Sequence, residues 1–259
     1  MPMSEPVFDP YLIPGTDLLR NLPGARTQQE LAEIEHSLVT ARALELMDDP
    51  PVPDGTVAQL RSIHRFLFQD VYDWAGEIRT INITKGGSFF LPVEVFDTGI
   101  QYCEDTLRGD GLLRGMDHDT FVKKLSVNYD NFNVLHPFRE GNGRTQRMFW
   151  DLIAQAAGWH FDWNLTDRGE NDRASIMALR DSDLSLLETM FSRIVKPLDE
   201  DLSVDRPVSM FMHGDAEMSA GIVTPQEYRR LSQRYAPGVI EESGKQRDAH
   251  HAHRRRHLR

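Results

Sequence analysis

At 259 residues, with 40% hydrophobic and 27% charged content, the chain has the composition of a globular protein built around one good-sized core. A single cysteine, Cys103, excludes an intramolecular disulfide and a CxxC metal knuckle, and no apolar run is long enough to predict a membrane span. The net charge of −11 is uneven: residues 228–259 hold nine Lys/Arg and three Asp/Glu, while residues 1–227 hold 20 against 37 and carry −17. Such an acidic body argues against nucleic acid as a partner. It also means that a polyphosphate must be attracted locally, since salt screens charges beyond about 8 Å.

Residues 1–26 carry five prolines and read as an extended lead-in, acidic at its start and without the basic and apolar regions of a signal peptide. Thr27 and Glu30 have capping-box spacing, and Leu31, Ile34, Leu38, Ala41 and Leu44 follow at helical spacing, predicting a helix to about Met47. Asp48 to Pro53 stops it. A second helix is predicted from Val57 to near Asp70 through Leu60, Ile63, Phe66 and Leu67. The run Thr80-Ile81-Asn82-Ile83-Thr84 alternates with period two, Gly86-Gly87 signals a turn, and Phe89-Phe90-Leu91 returns as a second strand. An isolated hairpin is marginal, so this one is expected to lie over something.

Further helices are predicted from about Val93 to Leu107, from Phe121 to Leu135, through Met148 to Ala156 with Gly158 closing it, from Asp172 to Leu179, and from Leu184 to Val195. The expected fold class is therefore all-α, with seven to eight helices and one β-hairpin, over residues 27–197. Residues 198–259 read as a C-terminal extension, with a short helix capped by Thr224 and reaching Tyr235, and a basic end, residues 250–257, with no large apolar residue to bury. That end reads as a solvated charge run rather than a nucleic-acid or membrane surface. The four tryptophans, Trp74, Trp150, Trp159 and Trp163, read as core or pocket wall.

The stretch His136-Pro137-Phe138-Arg139-Glu140-Gly141-Asn142-Gly143-Arg144-Thr145-Gln146-Arg147 concentrates the chemistry. Gly141 and Gly143 let main-chain N–H groups approach a ligand, and successive N–H groups at a helix start form an anion site. Arg144 and Arg147, three residues apart, share a face and suit a polyphosphate. Glu140 is a carboxylate beside that anion site, a combination that favours a bridging Mg²⁺. His136, at a helix end, is placed to take a proton from a hydroxyl. Taken one at a time, the His is more often a core or capping residue, Gly-Asn-Gly a plain turn, and Glu140 with Arg144 an i,i+4 ion pair. Nine specified positions together are not incidental.

The pattern H-P-F-x-E-G-N-G-R-x-x-R resembles the signature of the Fic family of protein adenylyltransferases. Leu67 to Gly76 with Arg79-Thr80 are similar to the segment ahead of that family's flap. The P-loop and dinucleotide glycine motifs are absent. The resemblance implies that His136 deprotonates a Ser, Thr or Tyr hydroxyl of a target protein, which attacks the α-phosphorus of ATP. It implies that Glu140 holds Mg²⁺, that Gly141, Asn142 and Gly143 bind the α- and β-phosphates, that Arg144 contacts the β-phosphate region and that Arg147 contacts the γ-phosphate. Phe138 would anchor the loop in the core. The hairpin would be the flap that registers a target by strand addition, with Lys85 and Gly86 at its tip touching nucleotide or target.

Fic enzymes are commonly restrained by a helix with the motif [ST]-x-x-x-E-[GN], whose Glu engages the second arginine. Neither terminal region contains it: Ser37 is followed by Ala41 and Ser209 by His213. The resemblance is thus to members held in check by a separate small antitoxin, acting in the bacterial cytoplasm, with export as an effector as the alternative. A Fic-type transferase using another nucleotide or phosphate-containing group, and a non-catalytic module binding through the flap, are the competing readings.

Overall fold

The computed structural model describes residues 8–85, 87–198 and 221–222. Among them are seven α-helices, as the all-α expectation required: α1 (Gln28–Asp48), α2 (Val57–Phe68), α3 (Phe96–Gly109), α4 (His118–Leu135), α5 (Asn142–Ala156), α6 (Arg168–Asp181) and α7 (Ser185–Ile194). The helix starts obey local chemistry. Thr27 accepts from the Glu30 N–H at 3.1 Å, and Thr56, Asp117 and Asp167 cap α2, α4 and α6 in the same way. The Glu30 carboxylate reaches back to the Arg26 N–H at 2.8 Å, completing the capping box one residue further out than usual.

The buried face of α1 differs from the expected stripe. Leu31, Glu35, Val39, Ala43 and Leu46 are buried, whereas Ala41 and Leu44 are exposed. A reading that seeks only apolar residues misplaces this face, because a carboxylate occupies one of its inward positions. α5 runs through the core, packed on α2, and α4 packs against α3, α6 and α7. Phe132, Phe149 and Trp150 meet edge-on or tilted at ring-centroid distances of 5.1–5.3 Å. Residues 8–26, though irregular, are part of this core: Tyr11, Leu18, Leu19 and Ala25 are buried, and Tyr11 stands edge-on to Trp74.

The hairpin is shorter than its sequence pattern suggested, with β1 (Ile83–Lys85) antiparallel to β2 (Ser88–Phe89). Arg79 is the reason. Its buried guanidinium donates to the carbonyls of Ile81 at 2.7 Å and Leu91 at 2.6 Å, groups that a longer ladder would use. Asn82 likewise accepts from the Val93 N–H at 2.9 Å, and the Leu91 N–H donates to Val134 at 2.8 Å. The base of the hairpin is thereby fastened to the end of α4.

Two strand pairings were not anticipated. β3 (Trp159–Phe161) pairs antiparallel with β4 (Val195–Pro197), and both are too short to show a period-two pattern. β5 (Gly221–Ile222) pairs antiparallel with β1, giving a three-stranded sheet of order β2-β1-β5. The helix expected from Thr224 to Tyr235 and the basic end lie outside the described residues. No helix among the described residues is long and apolar enough to cross a membrane.

Candidate active site

α4 ends at Leu135, and Pro137 helps to prevent its continuation. His136 takes the left-handed conformation, φ 41° and ψ 62°, while its N–H caps the helix on Phe132 at 3.1 Å. A non-glycine residue pays about 1–2 kcal/mol for this backbone. Arg79 holds it there: its Nε donates to the His136 carbonyl at 2.8 Å and its main-chain N–H donates to Pro137 at 2.8 Å. The same guanidinium thus fixes the base of the hairpin and the histidine.

The hairpin lies over the histidine. The Phe90 ring stacks on the His136 imidazole with centroids 3.6 Å apart and planes within 11°. Enclosure pushes the imidazole well below its ordinary range, the positive charges of Arg79 and Lys85 act the same way, and a main-chain hydrogen bond to Asn133 opposes them. His136 is therefore neutral near pH 7, the state a general base requires. Lys85, on β1, acts electrostatically on both His136 and Glu140. Gly86 lies outside the described residues.

After His136 the chain makes a tight loop into α5. Phe138 is completely buried. Its N–H donates to the Asn142 side-chain oxygen at 2.9 Å, and the Asn142 amide donates back to its carbonyl at 2.8 Å. The Asn142 side chain therefore braces the loop, and its main-chain N–H belongs to the first turn of α5. That turn begins at Gly141, φ 80°, with no side-chain cap. The N–H groups of Asn142, Gly143 and Arg144 have no intrahelical acceptor by helix geometry, and the helix dipole adds positive potential. Gly141 alone of the two glycines has a positive φ; Gly143 lies inside the helix. Gly141 also has no room for a side chain, since an added Cβ would lie 2.4 Å from Phe68.

The arginines of the stretch divide in their roles. Arg139 turns inward and pairs with Asp9 at 3.0 Å, both side chains only 2% exposed, which straps the N-terminal segment to the loop. Arg144 is buried and ion-paired with Glu35 of α1, lies 3.7 Å from Glu140, and covers the Phe68 ring at 4.8 Å. The Tyr72 hydroxyl donates to Glu35. Arg147, one turn further along α5, is partly exposed. The Glu140 carboxyl is held above its ordinary range by burial and by the nearby Glu35 charge, while Arg144 acts against them. Its Oε1 accepts from the Gly141 N–H at 2.9 Å. A hard carboxylate oxygen beside a helix N-terminus is a fitting ligand for Mg²⁺ shared with phosphates. No cluster of three or more metal-ligating side chains occurs among the described residues, so nucleotide oxygens would have to supply much of the coordination.

Beneath the loop sits His64, fully buried and sandwiched between Phe68 and Phe138 with ring centroids 4.6 and 3.9 Å away. Its Nδ1 accepts from the Gly76 N–H at 2.8 Å, so its Nε2 carries the proton and donates to the Glu140 carbonyl at 3.0 Å. Burial pushes this imidazole down to about 3. His64, Glu35, Tyr72 and Asp9 escaped the sequence reading. His64 and Glu35 carried a usable signal, each being a polar residue at a core-facing helical position.

The comparisons with known proteins agree with this geometry. Residues 54–154 match the Fic/DOC family. A probable protein adenylyltransferase Fic of Escherichia coli K12 is 34% identical over 192 residues, which cover 74% of this chain and 94% of that protein. The BepC effector of Bartonella tribocorum, solved with bound AMPPNP, superposes with a TM-score of 0.68 at 27% identity, covering 73% of this chain and 97% of that one. The Fic domain of a Bartonella quintana effector with bound ADP superposes with a TM-score of 0.68 at 26% identity, covering 72% and 94%. On this extent of identity and coverage, together with the matched helical frame, the chain belongs to the Fic/DOC family.

Proposed function

We propose that this chain is a protein adenylyltransferase, moving AMP from ATP to a Ser, Thr or Tyr hydroxyl of a target protein. The observation that carries the reading is a neutral, partly buried His136, stacked under Phe90, beside an uncapped helix N-terminus that bears a buried arginine. His136 takes the hydroxyl proton as the target oxygen forms its bond to the α-phosphorus. The bond from that phosphorus to the bridging oxygen breaks, and pyrophosphate leaves. The N–H groups of Asn142, Gly143 and Arg144 face the phosphates, Arg144 and Arg147 offset charge along the leaving group, and Glu140 would hold Mg²⁺. When bound, that ion neutralises the charge that builds as pyrophosphate departs. Relatives named as adenylyltransferases, and effectors solved with AMPPNP or ADP, support the choice of nucleotide.

The flap registers the target by main-chain pairing, with Lys85 and Gly86 near its tip. Restraint by a separate small antitoxin directed at Arg147, a toxin role, and action in the bacterial cytoplasm complete the reading and follow from the family resemblance. The test compares parent and His136→Ala with ATP labelled at the α-phosphate and a cell lysate, alongside ADP binding by calorimetry. Transfer falls by about 10²–10⁴ in the variant while ADP binding persists. Transfer at the parent rate would remove His136 from the role of base.

A further inference from the structure

We propose that the segment Gly221–Ile222 is an occupant of the flap's target edge, so that the chain keeps its own target groove filled until an incoming extended peptide displaces it. The inference rests on the adenylyltransferase reading for what the flap does, and on strand pairing for the rest. A hairpin has two outer edges. The β2 edge is approached by α6. The β1 edge is paired with β5, with Ile83 opposite Ile222 and Thr84 opposite Gly221. β1 is also the strand that carries Lys85, whose charge is felt by both His136 and Glu140. A backbone added to β1 runs about 4.8 Å from that strand, beside the catalytic groups. It is the edge on which a target main chain would be held, and in this structure it is filled.

The occupant suits a reversible block. Neither Gly221 nor Ile222 carries a hydroxyl, so the paired residues fill the edge without offering an acceptor. The pairing spans two residues, and so short a pairing is marginal on its own and readily exchanged for a longer strand. Main-chain pairing is also tolerant of sequence, so one edge can take both this segment and an unrelated target. On the other side of the hairpin, Phe90 covers the His136 ring. Both the acceptor edge and the base are therefore covered in the same conformation.

The test uses the full chain. Gly221→Pro with Ile222→Pro removes both main-chain donors of β5. Amide exchange at Ile83–Lys85 should then quicken about fivefold, the net worth of roughly one hydrogen bond. A fluorescent synthetic peptide of residues 216–227 should bind the double variant in a polarisation assay and leave the parent unlabelled. AMP transfer to lysate proteins should rise by a similar factor, with ADP affinity unchanged. In a second variant, Thr84→Cys with Gly221→Cys joins an opposed strand pair, whose spacing suits a disulfide. Oxidation should suppress transfer and reduction restore it. Unchanged exchange and no peptide binding in the double-proline variant would overturn the pairing. Faster exchange with unchanged transfer would overturn the edge as target groove, and AMP on the chain's own residues 219–224 would overturn the segment as a non-productive occupant. Absence of transfer in every form, with peptide binding as expected, would instead fault the adenylyltransferase reading and leave the pairing standing.

Discussion

Replacing Gly141 with alanine confronts the loop with two separate penalties. The first is conformational: Gly141 has φ 80°, and an L-residue there costs about 1–2 kcal/mol. The second is steric. The new methyl would stand 2.4 Å from Cζ and 2.6 Å from Cε2 of Phe68. Phe68 cannot yield easily, being fully buried, stacked on His64 at 4.6 Å and covered by the Arg144 guanidinium at 4.8 Å. Overpacking of this kind costs about 1–3 kcal/mol. The sum, about 2–5 kcal/mol, should lower the urea midpoint by about 1–2.5 M for a slope near 2 kcal/mol/M. ADP affinity should fall too, because this residue directs the first N–H groups of α5. Phe68→Leu removes the colliding ring atoms, so the double variant should recover the steric part and leave the conformational part. A double-mutant cycle should therefore give a coupling of about 1–3 kcal/mol. A midpoint within about 0.25 M of the parent, or a coupling near zero, would refute the account of the packing beneath the loop.

Asp9→Ala leaves Arg139 charged and unpaired in the core, and should cost about 3–5 kcal/mol in urea unfolding. Loss of less than about 1 kcal/mol would show that the strap contributes little. Arg79→Lys keeps the charge and loses the fork that reaches the carbonyls of Ile81, Leu91 and His136. kcat should drop by about 10–100-fold with ADP affinity close to the parent's, since misplacement of the base rather than loss of binding is the defect. His64 should make the fold acid-sensitive. Its folded value of about 3 lies below the ordinary 6.5, so the unfolded chain takes the proton first, and stability present above pH 6.5 is lost as pH falls toward 3. The slope due to this one group is about 1.4 kcal/mol per pH unit, and the non-titrating His64→Gln should lack it. Glu140, with a raised value, works in the opposite direction above its ordinary range, so the parent-minus-variant difference is the quantity to read. Equal slopes for parent and variant would contradict a neutral His64 under the loop.

Much of this arrangement was readable in the sequence because it is local. The stops at Pro50 and Pro137, the cap at Thr27, and the apolar spacing of α2, α4 and α5 each depend on a few neighbouring residues. The loop from His136 to Arg147 was legible for the same reason: its residues lie within one turn and one helix start. What escaped was held over long separations in the chain. Glu35 meets Arg144, Asp9 meets Arg139 and His64 meets the Glu140 carbonyl, and none has a partner within helical reach. Glu35 and His64 were also hidden by their positions on inward helix faces, where apolar residues were expected. Arg79 shows the reverse case. The strand pattern around it was correct in kind, but its side chain takes the carbonyls that would have extended the hairpin. β5 could not be foreseen at all, since two residues carry no periodicity and the pairing is set by the edge they meet.

The most direct measurement follows the label from ATP to a target protein, with the isotope placed at the α-phosphate in one reaction and at the γ-phosphate in another. Transfer of AMP requires α-label on the protein, no γ-label, and loss of the α-label with His136→Ala. Protein carrying γ-label, or α-label that persists in the histidine variant, would contradict the assignment of His136 as the base in an adenylyl transfer.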